Sequence, residues 1–106
     1  MLNEKIDYTI IVAPSVNDRI KEHFEFLARV NENAANKLLD ILTKDLESLE
    51  KMPFRNPVYE RPFVQSLKYR YLISNKRYRI IYQIVDDFVF VDVIQDCRQK
   101  NDGLII

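Results

Sequence analysis

Residues Lys68–Arg98, KYRYLISNKRYRIIYQIVDDFVFVDVIQDCR, decide the reading of this chain. Polar and apolar residues alternate through three runs of strand length, interrupted at Asn75-Lys76 and Asp86-Asp87, residue types suited to tight turns. The pattern predicts a three-stranded antiparallel meander. If both interruptions are two-residue hairpin loops, the facing of every side chain follows, because a slip of one residue reverses a strand. That register sends Tyr69, Tyr71, Ile73, Tyr78, Ile80, Tyr82, Ile84, Val89, Val91 and Val93 to one face, which is apolar enough to need covering. The opposite face then carries Lys68, Arg70, Leu72, Arg77, Arg79, Ile81, Gln83, Val85, Phe88, Phe90, Asp92, Ile94 and Asp96. Its cations gather towards the end that holds Arg77 and Asp96. Such a cluster is either a solvated strand face or a surface that meets an anionic partner.

Composition bounds what surrounds this meander. The 106 residues suffice for one core, so a single domain over 1–106 is expected. Formal net charge is zero, which gives no global attraction to nucleic acid or membrane, so a basic site has to be local. Between Arg61 and Arg79 there are six Lys or Arg and no acidic residue, whereas most Asp and Glu lie in the first fifty positions. The one cysteine, Cys97, excludes an intramolecular disulfide framework and fits a reducing cytoplasm. The N-terminal residues lack a basic and apolar leader pattern, and no run approaches the roughly 18 apolar residues of a membrane span. A cytoplasmic protein with no membrane partner is expected. With one glycine there is no phosphate-cradling loop, and no cofactor is expected.

Upstream, Tyr8 to Val12 reads as a strand closed by Ala13-Pro14. Ser15 is the expected N-cap of a first helix, with Asp18 in its first turn and Val16, Ile20, Phe24 and Leu27 on one stripe as far as Val30. Asn31 or Asn33 caps a second helix, in which Ala35, Leu38, Leu42, Leu46 and Leu49 form the stripe, ending before Pro53. Pro53, Pro57 and Pro62 mark an irregular connection pinned by Phe54, Tyr59 and Phe63. The terminal Leu104-Ile105-Ile106 is an apolar tail suited to packing on the sheet. The expected fold is α+β: an N-terminal strand, a two-helix hairpin, then the meander, with the helices on one sheet face and the other face open.

This order of elements resembles the RelE/ParE superfamily of toxins from bacterial type II toxin-antitoxin modules. The resemblance spans nearly the whole chain. It is carried by Tyr78-Arg79-Ile80-Ile81-Tyr82-Gln83-Ile84-Val85-Asp86-Asp87, by Lys68-Tyr69-Arg70 before it, and by Asp96-Cys97-Arg98-Gln99 leaving the last strand. It implies a growth inhibitor neutralised by a cognate antitoxin, of a kind associated with plasmid stabilisation. It also implies one of two targets: the ribosome with its mRNA, cleaved by RelE-like members, or DNA gyrase, engaged by ParE-like members that are not nucleases. A non-toxic interaction module of the same fold is a third reading.

Chemistry separates the branches. RNA cleavage through the 2′-hydroxyl needs a group to take its proton, a cation for the crowded phosphate and a donor for the leaving oxygen. By resemblance, Arg70, Arg79 and Arg98 match basic family positions, and Arg79, Arg98 and Asp96 are the candidate catalytic set of a nuclease. However, nothing after Arg98 is Tyr or His, Asp96 stands where many relatives place His, and Ser74-Asn75 lacks the arginine of RelE-like enzymes. A carboxylate also repels a phosphodiester, and Asp96 opposite Arg77 suits a cross-strand pair better than a base. Zero net charge further disfavours a ribosome-binding protein. The non-nuclease reading is therefore favoured. The candidate surface for target or antitoxin is Lys68, Arg70, Arg77, Arg79, Ile81, Phe90, Ile94 and Arg98, cations around an apolar strip that suits an acidic amphipathic segment; a groove at the helical hairpin is the alternative. His23 has no partner at metal-ligand spacing and reads as a partly exposed helix residue. Cys97 reads as inert packing, and Tyr69, Tyr71, Tyr78 and Tyr82 as core rather than base-stacking aromatics.

Overall fold

Four strands form one sheet in the order β1-β4-β3-β2, in a computed structural model that describes residues 7–60 and 68–98. Along the chain the elements are β1 (Thr9–Val12), α1 (Pro14–Val30), α2 (Glu32–Ser48), a 3-10 turn (Pro53–Arg55), β2 (Tyr69–Ser74), β3 (Tyr78–Val85) and β4 (Phe88–Asp96). The meander is antiparallel as the alternation predicts, and β1 returns to lie parallel to β4, pairing Thr9 with Phe88 and Val12 with Val91. The α+β architecture expected from the sequence is the one observed. Phe63, Pro62 and the Leu104-Ile105-Ile106 tail lie outside the described residues.

The helices begin and end for local reasons. Pro14 takes the first helical position of α1, where a missing N–H costs nothing. Ala13 therefore stands at the cap position, Ser15 lies inside the helix, and Asp18 falls beyond the first turn. The expected Ser15 cap is thus displaced by the preceding proline, whose fixed φ already suits a helix start. Asn31 both ends α1 and caps α2, its Oδ1 accepting from the Ala34 N–H at 3.0 Å. This one-residue junction folds the helices into a hairpin. Val16, Leu38, Leu42 and Leu49 pack from the helices against Leu72, Tyr78, Ile80, Tyr82, Val89, Val91 and Ile94 of the sheet. Tyr82 has no exposed surface, and its hydroxyl donates to the Pro53 carbonyl at 2.6 Å and accepts from Asn56 Nδ2 at 3.0 Å. Burial raises the pKa of this phenol.

Two irregularities change which side chains face where. Ser74 pairs with Tyr78, so three residues, Asn75, Lys76 and Arg77, separate β2 from β3 rather than two. Asn75 and Lys76 both take left-handed conformations, and the Arg77 N–H closes the turn on the Ser74 carbonyl at 3.1 Å. The extra residue reverses β2. Tyr69, Tyr71 and Ile73 consequently lie on the open face, and Arg70, Leu72 and Ser74 on the helix side. The second irregularity is a bulge: Ile81 pairs with Val93 but Tyr82 pairs with Val91, leaving Asp92 extra in β4. Beyond it the alternation is inverted, so Val93 faces outward while Ile94 and Asp96 turn towards the helices. The Asp86-Asp87 loop, by contrast, is the expected two-residue connection, with Val85 opposite Phe88.

Candidate functional site

The open face is built from alternate residues of β2, β3 and β4, together with Tyr59. The segment before β2 reaches the sheet edge through a bridge between Val58 and Arg70, with the Tyr59 N–H donating to the Tyr69 carbonyl at 2.7 Å. This places the Tyr59 ring 5.9 Å from that of Tyr71, edge to face. Arg79 projects between them, its Cζ 5.8 Å from the Tyr59 ring centre and 5.7 Å from that of Tyr71. Its Nη1 donates to Gln95 Oε1 at 3.0 Å across the β3–β4 ladder. Val58, Tyr59, Glu60, Tyr71 and Arg79 line an open recess of about 250 Å³. Further along the face, Gln83 Nε2 donates to Asp92 Oδ2 at 2.8 Å and approaches the Tyr69 hydroxyl at 3.4 Å, which ties down the bulge residue. Phe88 and Phe90 lie with ring centres 5.9 Å apart at the opposite end.

The proposed surface residues divide between the two faces. Arg79, Ile81 and Phe90 stay on the open face, although Ile81 is buried. Lys68 is exposed at the start of β2 with Nζ 5.7 Å from the Tyr69 ring centre, and Arg98 is exposed past the end of β4. Arg70 belongs instead to the helix side: its Nη1 donates to the carbonyls of Asn56 at 2.6 Å and Phe54 at 3.3 Å, and its guanidinium stacks 5.3 Å from the Phe54 ring centre. It fastens the proline-rich connection to the sheet. Ile94 is core. The reversed β2 and the bulge account for both displacements.

Arg77 and Asp96 form the expected pair, but inside the fold rather than on the open face. Arg77 Nε and Nη2 donate to the two carboxylate oxygens at 2.9 and 2.7 Å, and the Arg98 backbone N–H donates to Oδ1 at 3.0 Å. The Asp96 side chain has no exposed surface. Arg77 holds its pKa below the usual carboxylate range, against the opposing effect of burial. A carboxylate so engaged and so acidic is a poor proton acceptor. Beside it, His23 Nδ1 lies 3.2 Å from the Tyr78 hydroxyl, with the rings edge to face at 5.4 Å. Burial raises the pKa of that phenol. Cys97 is exposed, contrary to its expected packing role, because the chain leaves the sheet there. Among the described residues no three His, Cys, Asp or Glu side chains gather at metal-holding distance, and no helix is long and apolar enough to cross a membrane.

The aromatic recess around Arg79 was hidden from sequence reasoning by the assumed register, which buried Tyr69 and Tyr71. Tyr59 and Gln95 carried no signal of their own. One sequence feature pointed the right way: Arg77 and Asp96 do form an ion pair, although Tyr78 rather than Arg77 stands opposite Asp96 and Arg77 lies in the turn.

The sequence model of a family described as "ParE toxin of type II toxin-antitoxin system, parDE" matches residues 10–99, nearly the whole chain. The chain belongs to the ParE toxin family. As the toxin of such a pair, ParE implies an antitoxin partner. No curated protein matches the chain. Among solved structures, one titled "Chromosomal ParDE TA system from P. aeruginosa" is similar with a TM-score of 0.68, covering 84% of this chain and 95% of that one at 9% identity. At that identity the likeness concerns the ParE fold alone.

Proposed function

We propose that this ParE toxin inhibits growth as a non-nuclease that acts on DNA gyrase and is neutralised by its cognate antitoxin, with a role in plasmid stabilisation. The observation that carries the reading is the state of Asp96. The one carboxylate proposed as a base faces the helices with both oxygens held, so the base, cation and proton donor needed to cut RNA do not converge among the described residues. Arg70 and Arg77 are likewise committed to internal partners. The family match supports the toxin role and an antitoxin partner. On this reading the contact surface for target or antitoxin is the open face, with Arg79, Ile81, Phe90 and Lys68 on or beside it and Arg98 at its end.

One observation favours the RelE-like reading as the alternative: the half-buried Arg79 lies beside the ring of the half-buried Tyr71, with the buried Tyr59 on its other side. The experiment that separates the two is 5′-end mapping of cellular mRNA shortly after brief induction in bacteria, with growth followed in the same culture. Growth arrest with intact mRNA is the expected result. Codon-phased ends that persist in an Asp96→Asn protein and vanish in Arg79→Ala would establish the nuclease.

A further inference from the structure

Arg79 is half-buried, yet among the described residues no carboxylate approaches it within ion-pair distance, and Glu60, which shares its recess, makes no pair with it. Among the described residues it hydrogen-bonds a neutral amide, and two ring contacts orient the guanidinium without neutralising it. A guanidinium presents five N–H donors in a planar fork, so most of its donor capacity still points at the recess. The other cations of the sheet are settled differently: Arg77 has a bidentate carboxylate and Arg70 two carbonyls. Among the described residues this half-buried guanidinium therefore has no carboxylate counter-ion.

We infer that the Arg79 recess, walled by Tyr59 and Tyr71, is a carboxylate-binding subsite that receives an Asp or Glu side chain of a protein partner. The recess of about 250 Å³ accommodates a single acidic side chain. The fork of Arg79 matches the two oxygens of a carboxylate. A phosphodiester chain fits this face less well, because Glu60 at the recess and Asp92 further along the face repel a run of phosphates, while one carboxylate can avoid both. The inference rests on the antitoxin or target being a protein that contacts the open face, and it is independent of whether gyrase is the target.

The test is a titration of the isotope-labelled full chain, followed through the Arg79 Nε–Hε and Tyr71 ring resonances. The probes are the blocked peptides acetyl-Ala-Glu-Ala-amide and acetyl-Ala-Gln-Ala-amide, with dimethyl phosphate as the nucleic-acid surrogate. Saturable shifts at both positions with the Glu peptide are expected, at least tenfold stronger than with the Gln peptide. Arg79→Gln should abolish the response with the rest of the spectrum intact, and Arg79→Lys, which keeps the charge and loses the fork, should weaken it several-fold. Equal responses to the Glu and Gln peptides would overturn the assignment. So would tighter binding of dimethyl phosphate than of the Glu peptide, which would make the recess a phosphodiester site. Because neither gyrase nor growth enters this experiment, its failure is distinct from failure of the gyrase reading.

Discussion

A carboxylate with no exposed surface stays ionised only where fixed donors replace its water, and Asp96 has at least three, two of them from Arg77. Asp96→Asn should therefore cost about 2–3 kcal/mol in urea unfolding at neutral pH, less than for a fully buried pair because Arg77 regains water. The pH dependence has a definite sign. The folded pKa lies below the unfolded one, so the stabilisation is complete above the ordinary carboxylate range near ~4 and is lost as pH falls through the folded value. The stability gap between the wild type and Asp96→Asn should narrow below about pH 4. Ser74 offers the opposite case. It has no exposed surface and its Oγ has no hydrogen-bond partner, so Ser74→Ala should be neutral or stabilising by up to about 1 kcal/mol. Tyr82→Phe strands the Pro53 carbonyl and the Asn56 amide and should cost about 1–2 kcal/mol; denaturant midpoints check both.

Elements show where periodicity is a sufficient guide and where it is not. The helical stripes, the Asn31 cap and the two-residue Asp86-Asp87 loop are local properties, and each follows from residue type and spacing. The facing of β2 depends on a single extra turn residue, and neither Asn75-Lys76 nor Asn75-Lys76-Arg77 is distinguished by composition. The odd positions of β2, Tyr69, Tyr71 and Ile73, are as apolar as a core edge should be, so alternation supported the wrong face. The bulge at Asp92 is decided by tertiary pairing: without it Asp96 would face away from the helices and Val93 would face in. Lys76 sits at φ 57 with a Cβ that penalises it, so Lys76→Gly should stabilise the hairpin by about 0.5–1 kcal/mol, read from the thermal midpoint. Deleting Asp92 should instead destabilise strongly, by separating Arg77 from Asp96 and pushing Ile94 outward.

For the whole molecule, the two sheet faces carry different tasks. One is occupied by the helical hairpin and holds the structural cations Arg70 and Arg77. The other carries the half-buried Arg79 and Tyr71 over the buried Tyr59, with the Phe88–Phe90 pair at its far end, and is the surface proposed to meet a partner. Family membership accounts for an antitoxin as one such partner, and the sealed Asp96 favours a toxin that acts by binding. The central claim is tested most directly by adding the purified protein, freed of antitoxin, to purified DNA gyrase and relaxed plasmid, and measuring the rate of supercoiling. The account predicts inhibition at near-stoichiometric protein, reversed by the antitoxin. Undiminished supercoiling at large molar excess of folded protein would contradict it.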